Sequence, residues 1–177
     1  MKIGIICAPG LEECEALIAY DMLYRAKLDV KLIGLEKEIV SSHQVKLIPH
    51  MTIDEFDYQN YDCLVLPGGI PGTPNLEANN KVQTIIDYFV KENKYIAAIC
   101  AAPSILIHKG LIEEGKFICH PGHECGLKVT ENVKAYTNGK IITSKGFGTG
   151  FQFGYEIIKN LIDENTAEEI LQKIQYY

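Results

Sequence analysis

Tyr95-Ile96-Ala97-Ala98-Ile99-Cys100-Ala101-Ala102-Pro103 is the stretch on which the fold turns. Tyr95–Ile99 reads as a buried strand, and Pro103 suits the first turn of a helix. Cys100 falls where strand gives way to helix, with small alanines on either side. That is the setting of a nucleophile elbow, in which a strained turn lifts one side chain above the edge of a sheet. A helix N-terminus behind the sulfur favours thiolate over thiol. The plainer reading is a buried, inert cysteine, since free cysteine is among the commonest core residues.

Working outward, apolar runs of strand length recur at Ile3–Cys7, Val30–Leu35, Cys63–Leu66 and Lys140–Thr143. Helical stripes lie between several of them. Val82, Ile85, Ile86, Phe89 and Val90 follow the i, i+3, i+4, i+7, i+8 spacing of a buried helix face. Ala16, Ala19, Tyr20, Leu23 and Tyr24 give a second stripe, Phe151, Tyr155, Ile158 and Ile162 a third, and Ile170, Leu171 and Ile174 a fourth. Strands alternating with helices predict an α/β fold: right-handed βαβ units and a mainly parallel sheet covered on both faces. Glu36–Pro49 reads as a hairpin appended at an edge. Asn138-Gly139 is a strong hairpin turn, and short strands are expected on both sides of it within residues 117–142. No repeat or Pro/Ser-rich linker interrupts the chain, so residues 1–177 are expected to form a single domain.

Composition narrows the function classes. A net charge of −6 argues against nucleic acid, which needs a basic face. No apolar run approaches the roughly 18 residues of a membrane span. The apolar start from Ile3 to Pro9 soon meets Glu12 and Glu13, which does not suit a secretory signal. The 6 cysteines are too dilute in this length for a disulfide scaffold, and are expected as thiols in the cytoplasm.

In an open α/β sheet ligands bind beyond the carboxyl ends of the strands. The first strand leads to Glu12, Glu13 and Glu15 at a helix start. The Cys63–Leu66 strand ends on Pro67-Gly68-Gly69, the Tyr95–Ile99 strand on Cys100, and a short strand at Lys116–Cys119 on His120. Carboxylate, glycine pair, thiol and imidazole thus converge on one edge. Gly68-Gly69 serves either a tight turn or an oxyanion hole shared with the amide of Ala101. Glu12 and Glu13 fit the acidic first turn of a helix, whereas Glu15, beside Ala16 and Leu17, points inward. Cys119, His120, His123 and Cys125 are metal-ligating types, but their spacing fits no standard zinc set. Neither a metal nor a cofactor is expected. His43, His50 and His108 read as surface histidines, and Cys7, Cys14 and Cys63 as ordinary core or interface residues.

Gly68-Gly69, Ala97-Ala98-Ile99-Cys100-Ala101, His120-Pro121 and Thr143-Ser144-Lys145-Gly146-Phe147-Gly148-Thr149 together resemble the ThiJ/PfpI superfamily, in its DJ-one-like branch. Glu12-Glu13-Cys14-Glu15 strengthens the likeness, which spans almost the whole chain. The resemblance implies a flavodoxin-like three-layer sandwich and a homodimer. It implies Cys100 as nucleophile, Glu15 bonded to its sulfur, His120 close by, and backbone amides from Gly69 and Ala101. Ala101 stands where the protease-like branch has histidine. His123 and Glu124 are adjacent, unlike the His-x-Glu pair of glutamine amidotransferases. Arg25 matches a possible anion-binding position. Lys145 stands where the branch has arginine, and His43 stands near a position where arginine approaches from the partner subunit. Both changes weaken bidentate anion binding. The function so implied is cysteine-dependent, glutathione-independent conversion of small α-oxoaldehydes (methylglyoxal, glyoxal) to hydroxy acids, with deglycation of early adducts as the same chemistry. The alternative is a non-enzymatic redox sensor or stress protein acting through oxidation of Cys100. Thiazole biosynthesis and proteolysis rank below both.

Overall fold

β1 (Lys2–Cys7) shows how the sequence builds two cores at once. In a strand successive side chains point to opposite faces. Ile3, Ile5 and Cys7 therefore join one apolar cluster, and Ile6 joins another. The same division runs through β6 (Cys63–Leu66) and β7 (Tyr95–Ile99): Cys63, Val65, Ala97 and Ile99 face one way, and Leu64, Leu66, Ile96 and Ala98 the other. A strand apolar on both faces must be covered on both, and that requirement sets the architecture.

The computed structural model describes residues 1–177. Its sheet has seven strands in the order β5-β2-β1-β6-β7-β9-β8, with β2 at Asp29–Gly34, β5 at Met51–Thr52, β8 at Ala135–Asn138 and β9 at Ile141–Ser144. All neighbours pair in parallel except β8 and β9, the hairpin turned by Asn138-Gly139. α1 (Glu13–Arg25), α5 (Gly150–Leu161) and α6 (Glu164–Lys173) cover one face. α2 (Gly72–Ala78), α3 (Asn80–Lys91) and α4 (Pro103–His108) cover the other. This is the three-layer, flavodoxin-like sandwich. The strand order reverses between β1 and β6, the switch point where such sheets open a crevice. The expected edge hairpin is present as β3 (Ile39–Val40) and β4 (Lys46–Leu47), a separate two-stranded sheet. No helix is long and apolar enough to cross a membrane.

Three expectations are corrected. Residues 116–119 do not form a strand. β8 already occupies the free edge of β9, so Ile118 N–H donates to the Thr143 side chain at 3.0 Å rather than to a ladder carbonyl. The buried face of α5 is Phe153, Gly154, Ile157, Ile158 and Leu161, while Ile162 lies beyond the helix and is exposed. Gly154 is the reason: a Cβ there would stand 2.5 Å from Met22 Sδ, so α1 crosses α5 at this glycine and fixes its rotation. On α1 Met22 and Leu23 are buried, whereas Tyr24 is exposed and stacks against Tyr20.

α3 keeps the expected stripe with one exception. Asn79 caps the helix by accepting from the backbone N–H groups of Lys81 and Val82 at 3.0 and 3.1 Å. Val82, Ile85, Ile86 and Phe89 are fully buried, and Val90 is 41% exposed. Phe89→Ala should therefore lose about 3–5 kcal/mol, against under ~1 kcal/mol for Val90→Ala. Urea unfolding of the two variants checks this, and equal losses would contradict the assignment of the buried face.

Candidate functional site

The site lies beyond the carboxyl ends of β1, β6, β7 and β9. Cys100 follows β7 with φ of 65°, a left-handed conformation that side-chain-bearing residues adopt at a cost of about 1–2 kcal/mol. Hydrogen bonds pin it on both sides. Cys100 N–H donates to Ser144 O at the end of β9 at 3.0 Å, and Cys100 O accepts from His120 N–H at 2.9 Å. Pro103 opens α4 immediately behind. The elbow geometry read from the sequence is present.

Gly68-Gly69 is more than a turn. A Cβ on Gly68 would lie 2.7 Å from Cys100 Cβ and 2.9 Å from Glu15 Oε2. Gly69 has φ of +94°, and a Cβ there would fall 2.2 Å from the Glu12 nitrogen. Both positions need glycine, for close approach and for left-handed backbone. Their amides divide the work: Gly68 N–H donates to Glu15 Oε2 at 2.8 Å, and the amides of Gly69 and Ala101 lower the pKa of the Cys100 thiol.

Glu15, in the first turn of α1, is 1% exposed, and its Oε1 has no hydrogen-bond partner. Burial raises its pKa to about 7, opposed by the hydrogen bonds from Gly68 N–H and Cys100. Burial also pushes the Cys100 thiol up, to about 12, and the charge and hydrogen bond of Glu15 act in the same direction, while the amides of Ala101 and Gly69 pull it down. The expectation that the helix start would favour thiolate is thereby corrected. Beside an ionised Glu15 the sulfur keeps its proton, because burial and like charge outweigh two amides. A thiolate forms more readily when Glu15 holds the proton, since the like charge is then gone and the acid becomes a donor.

Cys100, Glu15 and His120 line one cavity of about 510 Å³ with Glu12, Lys145 and the Gly146–Thr149 turn. A Cβ on Gly146 would lie 3.5 Å from His120 Cδ2 and 3.8 Å from Cys100 Sγ, so this glycine leaves room between imidazole and thiol. His120 Nδ1 lies 2.9 Å from the Pro121 carbonyl. A carbonyl only accepts, so Nδ1 carries the ring proton and Nε2 holds the lone pair of the neutral ring. Thr149 Oγ1, 2.7 Å from Ser144 Oγ, also accepts from Gly146 N–H at 3.1 Å and thereby holds the turn. Glu12 and Phe147 line this cavity too. Reading Glu12 only as a helix-start acid missed its place there, and the Thr143–Thr149 motif was the signal for Phe147.

Arg25 and His43 do not line this cavity. Arg25, at the last turn of α1, pairs with Asp21 at 2.5 Å. His43 lies 3.5 Å from Glu12 and 3.2 Å from Glu13. These three side chains are close enough to share a cation. Of the motif weighed for metal, Cys119 is buried and Cys125 is exposed, while the His120 and His123 rings meet edge to face with centroids 5.9 Å apart.

The profile of the DJ-1/PfpI family matches residues 1–160. Protein DJ-1alpha of Drosophila melanogaster is 34% identical over 173 residues, covering 94% of this chain and 80% of the relative. The glutathione-independent glyoxalase DJR-1.2 of Caenorhabditis elegans is 28% identical, covering 98% and 96% of the two chains. The solved structure described as Toxoplasma gondii DJ-1, oxidized, superposes with a TM-score of 0.91 at 25% identity, covering 98% of this chain and 97% of that one.

The raised Glu15 pKa makes stability depend on pH. Its value is about 7 in the fold against 4.5 for the ordinary carboxyl, so between these values the native state holds a proton that the unfolded chain has lost. The associated stability is present in full below about 4.5 and is lost as pH rises through about 7. Glu15→Gln, which cannot ionise, should gain on the wild type across that window. Urea midpoints of both proteins from acid to neutral pH provide the check, and a constant difference would place the Glu15 pKa at its ordinary value.

Proposed function

The chain belongs to the DJ-1/PfpI family, and from that premise we propose that it converts small α-oxoaldehydes such as methylglyoxal and glyoxal to 2-hydroxy acids, using Cys100 and no glutathione. One observation carries this reading. A buried carboxyl whose pKa lies near neutrality sits against the elbow thiol, with one oxygen held by Gly68 and the other unpartnered. Such a group can give and take a proton at neutral pH. A relative named as a glutathione-independent glyoxalase supports the same reading.

The chemistry balances without an external oxidant. Cys100 sulfur adds to the aldehyde carbon, and the carbonyl oxygen takes up a proton, giving a hemithioacetal. The backbone amides of Gly69 and Ala101 favour negative charge as it develops at this centre. A base removes the hydrogen of the former aldehyde carbon as a proton, and an acid returns one to the adjacent carbon. Through the enediol the first carbon is oxidised and the second reduced. Glu15 serves this transfer, with His120 Nε2 as a second base. Water then cleaves the resulting thioester, releasing the hydroxy acid and the free thiol. In deglycation of early adducts Cys100 sulfur displaces the amine from the carbinolamine carbon, the free amine leaves with a proton, and the same hemithioacetal follows.

Charge in the cavity suits an uncharged substrate. One lysine, Lys145, lines it together with two acids, Glu12 and Glu15. The second reading, a redox sensor that oxidises Cys100 to sulfinate, draws support from the related structure described as oxidized.

Purified protein should convert methylglyoxal to lactate without glutathione. Cys100→Ser should abolish turnover, and Glu15→Gln should lower it roughly 10²–10⁴-fold, the usual span of a lost general acid–base group. Absence of turnover in a reduced wild type whose Cys100 is rapidly oxidised by peroxide would overturn the enzyme reading in favour of the sensor.

A further inference from the structure

Away from the Cys100 cavity, side chains from three elements meet in a second hydrogen-bonded series. Glu77 lies near the end of α2, His108 is the last residue of α4, and Cys125 sits in the following loop. Glu77 Oε1 is 2.6 Å from His108 Nδ1, and His108 Nε2 is 3.3 Å from Cys125 Sγ. An ionised carboxylate only accepts, so Nδ1 bears the ring proton and Nε2 turns its lone pair to the thiol. Nucleophile, base and orienting acid thus follow in the order that thiol catalysis uses. The other acceptor near Cys125 Sγ, His123 O, is farther at 3.6 Å. Cys125 is exposed, and its φ of 50° holds it in a left-handed turn before Gly126.

We propose that Cys125 is a second nucleophilic thiol, activated by His108 with Glu77 orienting the ring, and that it exchanges with small cationic disulfides to form a mixed disulfide. Burial, Glu77 and Glu124 hold its thiol above the ordinary value, so the resting group is the thiol and His108 acts as base during attack. The step balances. The Sγ proton passes to Nε2, the sulfur bonds to one sulfur of the disulfide, the S–S bond breaks, and the departing thiolate takes the proton back from the imidazolium. Glu77 and Glu124 place negative charge around this thiol, while Lys109, the residue after His108, is engaged by Asp87 at 2.7 Å. A positively charged disulfide is therefore favoured over an anionic one, and salt should weaken that preference. Cys125 lies outside the Cys100 cavity, so the proposal stands apart from the activity assigned to Cys100.

The test uses the full chain carrying Cys100→Ser, with cystamine and oxidised glutathione as probes and peptide mass spectrometry as the readout. Cys125 should be the first thiol converted. Cystamine should outpace oxidised glutathione several-fold at low salt. His108→Gln should slow modification of Cys125 by roughly tenfold or more, with a smaller loss for Glu77→Gln and no change at the partly exposed Cys14. The Cys14 rate in the same samples reports an intact fold, so a slowed Cys125 beside an unchanged Cys14 is specific to the imidazole. In the wild-type background Cys125→Ser should leave methylglyoxal turnover unaltered. Modification of Cys14 or Cys119 first, a His108→Gln rate equal to its parent, or equal rates for the two disulfides would each overturn the proposal.

Discussion

A single left-handed residue, Cys100, is the constraint from which the site follows. Strand β7 cannot continue past it, because the backbone turns back on itself, and α4 can start only three residues later. The conformation costs about 1–2 kcal/mol and persists only where the surroundings over-determine it. Here they do. Ser144 O and His120 N–H hold the two peptide groups of the residue, joining the end of β9 and the 120 loop to the same point. The glycine pair after β6 then lets Glu15 come in from α1, since a Cβ on Gly68 would strike both Cys100 and Glu15. Sulfur, carboxyl and imidazole are brought together through backbone hydrogen bonds more than through contacts with one another.

This dependence on backbone explains what could be read in the sequence. The β7–α4 junction was legible because its signals are local: an apolar run, small flanking residues and a proline at the helix start. α3 was legible because its 3.6-residue period is strong and its cap is an asparagine. The face of α5 was misread because Gly154, the residue nearest α1, carries no hydrophobic signal, and only tertiary packing reveals its role. β5, at two residues, is too short to show any period. Residues 116–119 have strand-like composition, but the ladder position they needed was already taken by β8, a competition invisible in a local pattern. Within the site, residue types, strand ends and their convergence on one edge were readable, and the bonding among them was not. The division of amides between Glu15 and Cys100, and the capture of His43 by Glu12 and Glu13, exist only in three dimensions.

Electrostatics sets the limits of the thiol. A helix start and two amides suggest a standing thiolate, yet burial and an adjoining carboxylate work against it. Fixed dipoles lower the energy of one negative charge in this space, and they do not accommodate two. The pair therefore behaves as a unit, in which a proton on Glu15 permits charge on Cys100 and loss of that proton restores the thiol. A group that must be acid in one step and base in the next works best with its pKa near the ambient pH, and the burial of Glu15 brings it there.

α4 connects this centre to the second thiol through very little chain. The elbow lies three residues before its first residue and His108 is its last, and the six helical residues at 1.5 Å rise amount to roughly 9 Å. The two cysteines nevertheless differ in how their protons are controlled. Cys100 is governed by a buried carboxyl and by amides that do not titrate, so water access and burial dominate. Cys125 is exposed and relies on an imidazole oriented by Glu77, so its reactivity rests on one side-chain base instead of on the architecture of the sheet. Substitutions at Glu77 or His108 can change the second centre while the strand ends that form the first remain in place. Changes at Gly68, Gly69 or Ser144 act on the first through the backbone and leave the Glu77–His108–Cys125 series without a direct contact to lose.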